Sequence, residues 1–301
     1  MSKLHPIVAV TGSSGAGTSS VSRTFQQIFR REKVEAAFVE GDAFHRYDRD
    51  QMAERMAAEA AQGNHRYSHF GPEANLFEEL EALFRDYDVD GRGRIRRYLH
   101  DDAEAAPYDQ PPGTFTAWED LPPDTDLLFY EGLHGGIATD AADVAQYPDL
   151  LIGVVPVINL EWIQKIQRDK DTRGYSTEAV TDTILRRMPD YVHYICPQFT
   201  RTDINFQRVP LVDTSNPFIA RFIPTLDESF LVVRFRNPRG IDFPYLLSML
   251  DGSFMTRANT LVCPGGKMDL AMQLIFTPLI WRIIEQRRQA LGTSQPTQEG
   301  R

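Results

Sequence analysis

Cysteine is scarce: the 301-residue chain carries two, Cys196 and Cys263, and neither has a second cysteine or a Cys/His cluster nearby. That excludes a disulfide-stapled scaffold and a zinc-finger-type site, and it suits free thiols in a reducing compartment. No apolar run reaches the ~18 residues of a membrane helix. The segment Met1 to Pro6 lacks signal-peptide anatomy, so the expected location is cytoplasmic, with no membrane partner. Repeats of fixed period are missing. Lysine and arginine are absent from residues 101–149, which hold twelve acidic side chains. The net charge of −10 arises there, because the remainder sets 32 basic residues against 30 acidic ones. Such a chain is a poor partner for nucleic acid, yet it leaves room for a local basic pocket. With 42% hydrophobic and 25% charged residues, the composition is that of an ordinary globular protein.

What is present begins with a strand pattern, Pro6-Ile7-Val8-Ala9-Val10-Thr11. A turn-rich stretch, Gly12-Ser13-Ser14-Gly15-Ala16-Gly17, follows. Thr18 to Arg31 then places Val21, Phe25, Ile28 and Phe29 at helical spacing. Strand, glycine loop and helix open a parallel α/β sheet. A second apolar run, Ala36 to Val39, comes about thirty residues after the first, one βαβ period. Residues 48–90 read as mostly helical, broken at Gly63-Asn64 and Gly71-Pro72. Residues 105–126, with five prolines, read as loop. Further strands are expected at Leu127–Tyr130, Leu150–Ile158 (interrupted by Pro156) and Phe230–Phe235. A long helix is expected over Met268–Arg288, with Pro278 as a kink. The expected architecture is α/β: a P-loop NTPase-like mixed sheet with helices on both sides. A single domain would cover residues 1–290, with a disordered tail at 291–301.

The stretch Gly12-Ser13-Ser14-Gly15-Ala16-Gly17-Thr18-Ser19 fits G-x-x-x-x-G-K-[ST] everywhere but at the lysine, where Thr18 stands. Glycines let backbone amides turn inward on phosphate oxygens, and the following helix adds its N-terminal amides and dipole. The candidate nucleotide-phosphate contacts are therefore Gly12, Ser13, Ser14, Gly15, Ala16, Gly17, Thr18, Ser19 and Ser20. Ser19 occupies the position whose hydroxyl binds Mg2+. The alternative is a glycine turn with no ligand. Without the lysine, positive charge at the transferred phosphate must come from elsewhere.

Two carboxylates stand at strand ends, where open α/β sheets bind ligands. Glu131, in Tyr130-Glu131-Gly132, is placed like the second acidic element of phosphate-loop enzymes, which holds Mg2+ directly or through water. Asp42, in Glu40-Gly41-Asp42, faces the position of a γ-phosphate and suits the base that takes a proton from an attacking hydroxyl. A helix N-cap is the alternative for Asp42, and a solvated strand end that for Glu131. In Gln164–Gly174, Lys165, Arg168 and Asp169 share one helix face. They fit either a solvated face with internal ion pairs or a lid closing on phosphates, with Lys165 or Arg168 as the replacement cation. Gly91–Tyr98 is the most basic stretch. Its acidic neighbours argue against RNA, leaving a loop for a small phosphorylated ligand or plain surface.

Together these pieces resemble the phosphoribulokinase family in its proteobacterial form. The matching segments are Val10–Thr18, Glu40–Arg46, Tyr98–Glu104, Phe129–Gly135, Gly153–Arg187, Gln198–Arg221 and Val233–Gly240, in consistent order to about residue 285. The resemblance implies a nucleoside-monophosphate-kinase-like fold. It implies ATP-dependent phosphorylation of ribulose 5-phosphate at its 1-hydroxyl, giving ribulose 1,5-bisphosphate in the Calvin–Benson cycle. It assigns Asp42 as base, Asp169 as a second essential carboxylate linked to Mg2+, and Glu131 as the acid near the metal. Lys165 and Arg168 would stabilise the transferring phosphoryl group, while His45, Arg49, His100 and Arg173 would hold the sugar phosphate. The lysine-less loop is a trait of this bacterial form. The resemblance further implies a homo-oligomer, commonly an octamer, activated by NADH and inhibited by AMP, with Arg31, Arg234 and Arg257 connected to that regulation. Plant relatives carry a cysteine in the phosphate loop for a thiol switch; this loop has none.

Other readings of the same residues are a uridine-kinase-like or pantothenate-kinase-like phosphotransferase, or an inactive nucleotide-binding regulator. The phosphotransferases would keep the loop, Asp42 and Glu131, but have no need of His45, Arg49, His100 and Arg173 together. A GTPase switch would carry Asn-Lys-x-Asp, which is absent.

Overall fold

In the computed structural model, residues 4–13 and 18–292 are described, except for the side chains of Ser19, Thr172 and Arg173. The chain runs β1 (Ile7–Gly12), α1 (Thr18–Glu32), β2 (Ala36–Glu40), α2 (Arg49–Ala61), α3 (Phe77–Asp90), β3 (Arg94–Ile95), α4 (Asp102–Ala105), β4 (Glu119–Asp120), β5 (Leu127–Gly132) and β6 (Leu150–Val155). It continues with α5 (Ile158–Arg173), α6 (Thr177–Asp190), β7 (Ile204–Pro210), β8 (Ser229–Phe235), α7 (Phe243–Met249), β9 (Phe254–Arg257), β10 (Thr260–Pro264) and α8 (Met268–Ala290). Pro156 ends β6, as its missing N–H requires, whereas α8 runs on through Pro278.

The apolar run Ile7-Val8-Ala9-Val10 is completely buried because β1 lies inside a sheet covered on both faces. Among the described residues that sheet has eight strands in the order β2-β5-β1-β6-β7-β8-β10-β9. β2, β5, β1, β6 and β7 are parallel, and β8, β10 and β9 extend the sheet antiparallel. Side chains of β1 alternate between two cores. Val8 and Val10 pack with Val21, Phe25 and Ile28 of α1 and with Met272, Ile275 and Phe276 of α8. Ile7 and Ala9 pack with Leu80, Phe84 and Tyr87 of α3. The α1 crossover leads toward β2 on one side of β1, and the chain from β6 leads toward β7 on the other. The switch point of the sheet thus falls at the carboxyl end of β1, where a ligand crevice forms.

Residues 105–126 are not loop throughout. Glu119–Asp120 pairs antiparallel with Arg94–Ile95. The basic stretch before it is a buttress. Arg96 lies over the rings of Phe115 and Trp118 at 3.6 and 5.0 Å, and it donates to the carbonyls of Ala43 and His45 at 2.8 and 2.5 Å. These contacts brace the segment after β2. The expected tail lies outside the described residues from 293 onward.

Candidate active site

The glycine loop leaves β1 at Gly12, where any Cβ would come 2.7 Å from the Val154 carbonyl, so only glycine lets the chain turn past β6. Ser14, Gly15, Ala16 and Gly17 lie outside the described residues, as does the Ser19 side chain. Ser13 is fully buried, and its hydroxyl donates to Glu161 in the first turn of α5. Thr18 is buried, with its methyl beside Gly12 and its hydroxyl on Glu131. The residue in the lysine's place therefore points into the sheet end. Ser20 lines a cavity of ≈ 220 Å³ with Val21, Val155, Val157, Gln164 and Arg208.

Thr11 and Gln198 hold the strand ends together. The Gln198 amide nitrogen donates to the Leu133 and Tyr194 carbonyls, and its oxygen accepts from the Thr11 hydroxyl (2.7 Å) and the Gly136 N–H (3.0 Å). Glu131 stands in register with Glu40 of β2 on one side and Val10 of β1 on the other. Burial raises the Glu131 carboxyl, and the charges of Asp42 and Glu40 add to the rise; the Thr18 hydroxyl and His100 oppose it. Glu40 belongs to this acidic group, and its place at the end of the second strand was the signal for it in the sequence.

Asp42 follows β2 in a single 3₁₀ turn, Gly41–Phe44. A Cβ on Gly41 would meet the Tyr130 hydroxyl at 2.5 Å and Gly132 Cα at 2.8 Å, so the turn sits directly on β5. His45 Nε2 lies 3.3 Å from Asp42 Oδ1, and His100 Nε2 lies 3.7 Å from Oδ2. Burial disfavours charge on Asp42, but the His45 hydrogen bond and the fields of His45 and His100 outweigh it and hold the carboxyl well below its usual range. Arg49 opens α2, which Asp48 and Gln51 cap reciprocally. Its guanidinium donates to the His100 carbonyl at 2.8 Å, joining α2 to the segment that carries His100. His45, Arg49 and His100 are therefore brought together around Asp42.

On α5, Lys165 Nζ lies 2.5 Å from Asp169 Oδ2, and Arg168 Nε lies 3.2 Å from Oδ1. The helix face has the expected internal ion pairs, but it is not solvated: Asp169 is only 3% exposed. Burial and the charge of Arg187 push the Lys165 ammonium down to about 8, against the opposing pull of Asp169. Arg173 ends the same helix, with its side chain outside the described residues. Arg187, in the last turn of α6, acts on Lys165, Glu161, His45 and His69 alike, so its charge reaches both the α5 side and the Asp42 side of the crevice. Neither Arg187 nor His69 was singled out from the sequence. Their position beside the site depends on the packing of α6 and of the segment before α3, which no local pattern encodes. His134, which shares the Glu131 segment, is structural. It is buried against Phe77 and the Phe70 carbonyl, and burial pushes it down to about 3.

The three arginines that the resemblance connects with regulation fall in two places. Arg234 of β8 and Arg257 of β9 both stand opposite Thr260 of β10, in one row of the sheet. Arg31 lies in the last turn of α1 and donates to Gln273 and Thr277 of α8.

Residues 7–215 match the model of the Phosphoribulokinase / Uridine kinase family. The chain is 69% identical over 290 residues to the plasmid phosphoribulokinase of Cupriavidus necator, covering 96% of this chain and 99% of the relative. It is 68% identical to the phosphoribulokinase of Nitrobacter vulgaris, covering 96% and 100%. The solved structure of phosphoribulokinase from Rhodobacter spheroides superposes with a TM-score of 0.89 at 60% identity, covering 95% of this chain and all of that one.

Proposed function

The chain belongs to the phosphoribulokinase / uridine kinase family, and from that premise we propose that it transfers the γ-phosphoryl group of ATP to the 1-hydroxyl of D-ribulose 5-phosphate, forming D-ribulose 1,5-bisphosphate for the Calvin–Benson cycle. The observation that carries this reading is the near-complete, 69%-identical match to phosphoribulokinases. It is joined by an Asp42 carboxylate flanked by two histidines and one arginine-bearing helix start, an arrangement suited to an anionic sugar.

Phosphoryl transfer asks for positioning and charge stabilisation more than for a strong base. Asp42, held ionised, is a weak base, but it is sufficient to accept the hydroxyl proton as the bond to phosphorus forms. His45, Arg49, His100 and Arg173 bind the sugar phosphate. The loop from Gly12 to Ser20 binds the ATP phosphates, and the cavity beside Ser20, mostly apolar with Gln164 and Arg208 in its lining, receives the nucleoside. Lys165 and Arg168 supply the positive charge that the loop lacks. Glu131, Asp169 and Ser19 would hold Mg2+, which is commonly bound through one or two carboxylates plus substrate phosphates. When bound, it neutralises charge on the phosphates. Arg31, Arg234 and Arg257 serve regulation by NADH and AMP in a homo-oligomer; their placement on two separate surfaces fits a site completed between subunits.

The test is ADP release from MgATP with ribulose 5-phosphate, uridine or pantothenate as acceptor, with and without NADH. Turnover with ribulose 5-phosphate alone is expected. Turnover with uridine and none with ribulose 5-phosphate overturns the proposal.

A further inference from the structure

We propose that Asn75, which belongs to no motif of the sequence, is a positioning residue for the acceptor side: its amide holds His45 in the form protonated on both ring nitrogens, which in turn keeps Asp42 a carboxylate. The inference rests on the reading of Asp42 as base.

Asn75 is 2% exposed. Its amide nitrogen donates to the His69 carbonyl at 2.8 Å and to the Gly71 carbonyl at 2.7 Å, which uses both hydrogens. The amide oxygen is therefore the end that meets His45 Nδ1 at 2.9 Å. An amide oxygen only accepts, so Nδ1 carries a hydrogen. The other ring nitrogen, Nε2, faces Asp42 Oδ1 at 3.3 Å. A neutral ring with its proton on Nδ1 would turn the Nε2 lone pair toward a carboxylate oxygen. With Asp42 ionised, the contact is attractive only if Nε2 is protonated too. The form excluded is the neutral ring with its single proton on Nε2, which would serve Asp42 without charge.

The ring has little freedom to escape this choice. His45 and Asn75 form an antiparallel bridge, and Arg46 donates to the Asn75 carbonyl at 3.0 Å. Arg96 holds the His45 carbonyl from the other side at 2.5 Å. Other charged or titratable groups around the ring are His69, with its ring 5.2 Å away, Tyr98 at 6.5 Å, His100 across Asp42, and Arg187. Burial and Arg187 disfavour the imidazolium, while Asp42 and Asn75 favour it and prevail. His69, under the same burial and the same arginine but without such partners, stays neutral.

The test reads the ring directly. Long-range proton–nitrogen correlations of His45 in the full-length protein at pH 7.5 are expected to show both nitrogens protonated. A neutral ring with its proton on Nε2 overturns the proposal, with no variant and no activity needed. In Asn75→Leu, kcat/KM for ribulose 5-phosphate should fall about tenfold at pH 8 and recover toward pH 6.5, because losing a charge-assisted hydrogen bond weakens the ring's hold on its second proton about tenfold. KM for ATP should stay unchanged. Asn75→Asp, which restores an acceptor for Nδ1, should bring the profile back. A loss equal at every pH marks a structural role only and also overturns the proposal. If Asn75→Leu fails to fold, the wild-type spectrum decides. Failure of the base assignment shows separately, as an active Asp42→Asn enzyme.

Discussion

At the scale of residues, the site divides charge between two groups. Asp42 is kept ionised by histidines at 3.3 and 3.7 Å, and Lys165, though burial and Arg187 push it down to about 8, stays mostly protonated at neutral pH. Asp42→Asn is expected to retain ATP binding, measured by calorimetry, and to lose at least ~10²-fold in turnover, the usual worth of a positioned base. Turnover near wild type would remove Asp42 from that role. Lys165→Met should lower kcat by at least ~10²-fold, as loss of one electrostatic stabiliser does. A change of a few-fold would pass the role of replacement cation to Arg168 or Arg187. Asp42, Glu131 and Lys165 were legible because strand-end position and helix spacing are local properties. His69, Asn75 and Arg187 were not, because each reaches the site from an element distant in sequence.

At the scale of elements, a hydrogen bond from Ser13 joins the phosphate loop to the helix that carries Lys165 and Asp169. Ser13 donates to one oxygen of Glu161, and the Tyr191 hydroxyl also bonds this buried carboxyl. Burial raises this carboxyl, and the Ser13 hydroxyl is the largest of the interactions opposing the rise. Ser13→Ala should therefore cost about 1–3 kcal/mol in unfolding free energy, the penalty of leaving a buried acceptor unmet. In a Glu161→Leu background the same change should cost almost nothing. Denaturant titration of the four proteins in that cycle measures the coupling; additive effects would mean that the loop and α5 are held in register by other contacts. The sequence located both elements but not their junction, since a loop serine and a helix glutamate at 148 residues' separation carry no shared pattern.

At the scale of the whole molecule, the carboxyl of Asp149 accepts the Ile7 N–H at 3.0 Å and ties the start of the central strand to the turn before β6. Burial raises it from the usual 3.8 to about 6. Between pH 4 and 6 the folded state holds this proton after the unfolded chain has lost it. Wild-type stability therefore falls over that interval and keeps the deficit above it. Asp149→Asn, which preserves an acceptor, should melt at higher temperature than wild type at pH 8, with the advantage shrinking as pH falls toward 4. A pH-independent difference would show that this carboxyl titrates alike in both states. The global charge of −10 bears on solubility, whereas the proposed chemistry rests on cations outside the acidic segment. The sequence by itself determined the α/β class, the phosphate loop, the strand-end carboxylates and the basic helix face, because each is written in short-range spacing. Only the tertiary structure decided that Thr18 points to Glu131, that Arg96 braces the turn of Asp42, and that Asn75 meets His45. Those contacts arise where segments 30 to 120 residues apart pack against one another, and packing between distant segments leaves no periodic trace along the chain.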